Sequence, residues 1–146
     1  MNPQTFFTGP DREKIREAIA ASEKLTSGEI RIHLESSSKV NAFERATQLF
    51  AQLNMHNTAD RNGVLIYLAL DNREFAILAD KGINEKVPEG FWDMVVKEMS
   101  DFFKSGQFAD GLIHGVKQAG EKLAAYFPYN ALSDTNELSD DISFGE

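Results

Sequence analysis

The eight residues Gly63-Val-Leu-Ile-Tyr-Leu-Ala-Leu70 carry no charge. A run of that length is far short of the roughly 20 apolar residues that span a bilayer. It fits a central strand covered on both faces, where alternation disappears because neither side meets water. A chain with such a strand needs a helical layer above the sheet, another below, and strands on its edges.

The flanking segments supply these parts. Asp71-Asn72 suits a short type I′ turn, and Arg73-Glu-Phe-Ala-Ile-Leu-Ala-Asp80 returns as the hairpin partner. Upstream, Glu29-Ile-Arg-Ile-His-Leu-Glu35 alternates, with Ile30, Ile32 and Leu34 inward and the charged residues outward, as a half-buried strand does. Between these strands, Asn41 with Glu44 three residues on makes a capping arrangement. Ala42, Phe43, Ala46, Leu49, Phe50 and Leu53 follow at helical spacing. A crossover helix followed by a hairpin predicts a mixed parallel and antiparallel sheet.

Helices close both ends. Thr8-Gly-Pro-Asp11 is a helix start, followed by Ile15, Ala18, Ile19, Ser22 and Leu25. After a loop from Lys81-Gly82 to Pro88, Trp92, Val95, Val96, Met99 and Phe103 form the buried stripe of a third helix, which Gly106 breaks. A fourth runs from about Phe108 to Phe127, with Leu112, Val116, Ala119 and Leu123 on one face. Its Gly111, Gly115 and Gly120 each lower helicity by roughly 1 kcal/mol against Ala, which points to close packing. The expected architecture is α/β: a three-layer αβα sandwich in residues 1–130. Residues 131–146 form an acidic tail without structure of its own, with Leu138, Ile142 and Phe144 as its only docking residues.

Composition narrows function. No cysteine is present, which excludes disulfides, thiolate zinc sites and cysteine nucleophiles. The net charge is −8, and Asp134, Glu137, Asp140, Asp141 and Glu146 contribute five of those charges, leaving about −3 on residues 1–132. Nucleic-acid backbones and polybasic membrane contacts call for a basic stripe that this balance does not supply. The first residues lack a basic segment followed by a long apolar one, so a cytoplasmic location without membrane insertion is expected.

Four short words in order resemble the TPM-domain family, named for its thylakoid-lumen phosphatase members. Asp60-Arg-Asn62-Gly63-Val64-Leu65-Ile66 is similar to its D-x-N-G-V-L strand entry, and Asp71-Asn72-Arg73 to its D-[DN]-R turn. Ile77 to Gly82 resembles the strand that ends in a glycine-bearing loop, with the usual glycine-x-glycine thinned to Lys81-Gly82. Phe103-Lys-Ser-Gly106-Gln-Phe108-Ala-Asp-Gly111-Leu112 resembles F-x-x-G-x-[YF]-x-x-G-L. The resemblance implies a mixed sheet of about four strands flanked by helices on both faces. It also implies divalent-cation binding (Ca²⁺ or Mg²⁺) and, in some relatives, acid phosphatase activity. Other relatives look like non-catalytic factors that assemble or maintain membrane complexes through a protein partner. Many members carry a secretion signal and a membrane anchor, for which these residues give no sign.

Strand direction sorts the candidate site residues into two sets. The entry of the second strand and the end of its hairpin partner bring together Asp60, Asn62, Asp80 and Gly82. Oxygen ligands from two loops suit a hard cation, and turn-shaping bonds to the backbone are the alternative role. The opposite end holds Glu35, Ser36, Asp71, Asn72 and Arg73, where the carboxyl ends of parallel strands commonly carry sites and Arg73 could grip a phosphate. Turn formation alone is the other reading there. No D-x-D start, P-loop or Arg-His-Gly triplet is present, so a phosphatase of this sequence would need a metal-activated water. His33 has no carboxylate partner identifiable in the sequence.

Overall fold

The structure is a computed structural model that describes residues 2–129 and 142–145. Six helices are described: α1 (Pro3–Phe6), α2 (Gly9–Ser22), α3 (Ala42–Gln52), α4 (Lys81–Asn84), α5 (Asp93–Lys104) and α6 (Phe108–Ala124). The strands are β1 (Glu29–Glu35), β2 (Gly63–Ala69), β3 (Glu74–Ala79) and β4 (Ser143–Phe144), in sheet order β3-β2-β1-β4. β1 pairs in parallel with β2 through the α3 crossover, and β3 returns antiparallel to β2. The mixed sheet with helices on both faces is the expected sandwich.

Helix starts follow side-chain caps. Thr8 Oγ1 accepts from the N–H of Asp11 at 3.2 Å, and Asn41 Oδ1 from that of Glu44 at 2.9 Å, satisfying donors that no helical carbonyl reaches. One face of the sheet presents Ile30, Ile32, Leu34, Val64, Ile66 and Leu68 to α2, α5 and α6. The opposite face presents Leu65, Tyr67 and Ala69 to α3. Every residue of β2 is buried, as its uniform apolarity requires. The α6 glycines sit at contacts: a Cβ on Gly115 would lie 2.5 Å from Met99 Sδ, and one on Gly120 2.7 Å from Ser22 Cβ. Among the described residues no helix is long and apolar enough to cross a membrane.

Several expectations are corrected. The outward side of β1 is not solvated: Glu29, His33 and Glu35 are all buried, because the covering of the second face extends over β1. Val96 is 38% exposed, since it falls off the stripe set by Val95 and Met99. The loop after Asp80 begins with α4, whose N-terminus Asp80 caps by accepting from the N–H of Lys81. In the hairpin the positive φ falls on Arg73 (54°) and not on Asp71 or Asn72, so the turn is not type I′. Finally, the tail is not structureless throughout. Ile142 is buried, and Ser143 and Phe144 pair in parallel with His33 and Leu34, the Gly145 N–H donating to the Leu34 carbonyl at 2.7 Å. An apolar-polar-apolar triplet fills the bare edge of β1, which accounts for its order. Leu138 and the acidic residues 134–141 lie outside the described residues.

Candidate functional site

Asp60, Asn62, Asp80 and Gly82 are brought to one end of the sheet, as strand direction predicts. Both oxygens of Asp80, however, accept from Arg61: Nε to Oδ2 at 2.9 Å and Nη2 to Oδ1 at 3.1 Å. His56 Nδ1 stands 3.4 Å from Oδ1. Burial alone would raise the Asp80 carboxyl, but the bonds from Arg61 and the Lys81 N–H outweigh it and hold it below the usual range. Asn62 is buried, its amide donating to Ser27 Oγ at 3.3 Å and its carbonyl accepting from Glu29. The Gly82 N–H donates to the Arg61 carbonyl. A Cβ there would lie 2.6 Å from that oxygen and closer still to the Asp60 carbonyl. Asp60 itself is exposed. Among the described residues no three His, Asp or Glu side chains gather as a metal-holding group. These four residues do not fit a cation in this arrangement, because Arg61 already supplies the positive charge that Asp80 attracts.

The opposite end splits in two. Glu35 projects to the α3 face, where Arg45 grips it with Nε at 2.8 Å and Nη2 at 2.6 Å, and the Tyr67 hydroxyl donates to Oε1 at 2.7 Å. Burial pushes this carboxyl up, and the bonds from Arg45 and Tyr67 more than reverse that, leaving it lowered. Burial, and then the hydrogen bond to Glu35, push the Tyr67 hydroxyl up. His33 Nε2 stands 3.7 Å from Glu35 Oε2, so the histidine does have a carboxylate neighbour, two residues along the same face. Burial nonetheless dominates and lowers its pKa. A carboxylate held by three donors cannot serve as a free base. Ser36 accepts from the Asp71 N–H through its carbonyl, and Asn72 binds Ser38 through both ends of its amide. Asp71, Asn72 and Ser36 therefore tie two loops together.

Arg73 turns to the other face. There it shares a cleft of about 400 Å³ with Lys104, over an apolar wall of Leu68, Phe75, Phe103 and Phe108. Phe103 meets Phe75 edge-on, centroids 4.9 Å apart, and stacks on Phe108 at 5.6 Å. The C-terminal turn of α5 supplies Lys104, and Gly106 in the left-handed region (φ 77°) reverses the chain so that α6 begins beside it. Both cations are exposed, and among the described residues neither has an ion-pair partner. Sequence reading singled out Arg73 but missed Lys104, because their proximity depends on how α5 crosses the hairpin. Arg61 and Arg45 were missed as well, although Arg45 lies one turn beyond the Asn41 cap on the buried side of α3.

The family model for the TPM domain (TPM_phosphatase) matches residues 1–122. The chain belongs to the TPM-domain family. This TPM domain is similar to the NMR structure of the BA42 protein from the psychrophilic bacterium Bizionia argentinensis, with 45% identity, 96% of each chain covered and a TM-score of 0.90. The N-terminal domain of a P. gingivalis protein shares the fold at 20% identity and a TM-score of 0.70, covering 85% of this chain and 82% of its own. The N-terminal domain of cg2496 from Corynebacterium glutamicum does so at 14% identity and 0.65, covering 97% and 82%. No curated protein matches the chain.

Proposed function

We propose that this TPM domain is a non-catalytic protein-binding module. The observation that carries this reading is the cleft beside the hairpin, where an apolar wall lies beneath two exposed cations that have no carboxylate partner among the described residues. Unpaired exposed cations next to apolar surface are the features of a recognition site. The carboxylates that hydrolysis would need are already engaged, Asp80 by Arg61 and Glu35 by Arg45 and Tyr67. Metal-dependent phosphomonoester hydrolysis with Ca²⁺ or Mg²⁺ at Asp60 and Asp80 would require Arg61 to leave Asp80. One assay separates the two. Purified protein with p-nitrophenyl phosphate and Mg²⁺ or Ca²⁺ is expected to give no rate above background. A rate that vanishes with chelator, and again in Asp80→Asn, would overturn the module reading.

A further inference from the structure

We propose that the cleft binds an acidic peptide segment of a partner protein, with one large apolar side chain seated among Phe75, Phe103 and Phe108 and flanking carboxylates on Arg73 and Lys104. The proposal rests on the module reading and names the partner's chemistry.

Two independent features select that chemistry. The apolar wall rewards an apolar side chain, and a bare inorganic anion would leave it uncovered. The exposed cations come from separate elements, Arg73 from the β2–β3 turn and Lys104 from the end of α5, so they bracket the wall and do not merge into one anion pocket. Charge complementarity therefore calls for negative charge beside an apolar group. Arg73 is also held at φ 54°, a left-handed backbone conformation uncommon for a residue other than glycine. Nucleic acid is a poor occupant, because the chain carries −8 overall and, among the described residues, two cations line the cleft. The chain's own acidic segment has related chemistry, Glu137-Leu138-Ser139-Asp140-Asp141, and is one alternative that the experiment must distinguish.

The probe is a fluorescein-labelled peptide with a central phenylalanine flanked on each side by two glutamates, titrated into the full chain and followed by anisotropy. Saturable binding below roughly 1 mM is expected. Replacing the phenylalanine with alanine should weaken it by about thirtyfold, the equivalent of burying one large side chain. Raising the salt from low to about 0.5 M should weaken it severalfold, as screened rim charges do. Arg73→Glu with Lys104→Glu should cost at least about tenfold. Ser100→Trp, which fills the cleft from its rim, should abolish binding with the melting midpoint kept. In ¹⁵N spectra of the unaltered protein, peptide-induced shifts should centre on the amides of Arg73, Phe75 and Gly106, a readout that needs no variant to fold. Absence of saturable binding, or shifts centred on residues 56–62 or on β1, would overturn the proposal. So would a marked gain in affinity on deleting residues 131–146, since the occupant would then be the chain's own tail. The phosphatase assay is independent: hydrolysis there sinks the module reading, whereas failed peptide binding without hydrolysis sinks only this inference.

Discussion

Ser143 Oγ lies 2.6 Å from His33 Nδ1, joining residues 110 positions apart and locking the final strand to the sheet. The same hydroxyl reaches the Ile32 carbonyl at 3.2 Å, and the Phe144 ring lies under the Arg12 guanidinium at 4.9 Å. β4 is thus held by side chains as much as by its short ladder.

Ending the chain at Asp141 should therefore destabilise it. Losing the buried Ile142 side chain alone costs about 2 kcal/mol, which lowers the melting midpoint by roughly 5 °C. Thermal unfolding of the truncated and full chains checks this, and an unchanged midpoint would show that β4 contributes nothing.

Stability should fall in acid in two stages. His33 is lowered from 6.5 by burial, so the unfolded chain binds its proton first and stability declines as pH drops below about 6.5. Glu35 and Asp80 are lowered from 4.5 and 3.8, so their contribution is present above those values and is lost as pH falls through their folded values. Urea midpoints between pH 8 and 3 should show both stages, and His33→Gln should remove only the upper one.

Arg45→Ala leaves Glu35 buried with Tyr67 as its remaining donor. Arg45 keeps part of its side chain in water, so a cost of about 2 kcal/mol is expected, below that of a fully buried pair. Arg45→Ala combined with Glu35→Gln should recover part of the loss. A double variant no better than the single one would mean that Arg45 acts through packing alone.

Alanine at three glycines should rank by what the new methyl meets. At Gly82 it meets backbone carbonyls that cannot yield, costing about 3 kcal/mol. At Gly120 it meets the Cβ of Ser22, a smaller but firm clash. At Gly115 it meets the flexible thioether of Met99, and the helix-propensity gain of roughly 1 kcal/mol offsets much of the cost. Denaturant midpoints for the three variants give the order directly.

Arg73→Gly should separate recognition from folding. Glycine relieves the left-handed backbone, so the midpoint should hold steady or rise slightly, while affinity for the acidic peptide falls. A lower midpoint would assign Arg73 to the fold and not to the cleft.

The legible parts of this protein are those that depend on local pattern. The apolar run of β2, the Asn41 and Thr8 caps and the α6 glycines are each read from a short stretch of sequence, and all sit as that stretch requires. What sequence does not carry is which cation closes on which anion. Arg61 reaches Asp80 across 19 positions and Arg45 reaches Glu35 across 10, distances set by how loops fold over the strand ends. The division of the hairpin end, with Glu35 on one face and Arg73 on the other, likewise follows from the pleat and the turn conformation. Alternation in β1 misled for a related reason. Polar residues on a strand face predict water only when nothing else covers that face.

β4 is synthesised after every other described element of the sheet. Domains begin to fold as they leave the ribosome, so the emerging chain meets the cell as a three-stranded sheet with β1 bare along one side. Such an edge is a template for pairing with any neighbouring chain. Glu23 already guards its lower half by accepting from the Ile30 N–H at 3.1 Å, leaving the stretch around His33 and Leu34 open until Ser143 arrives.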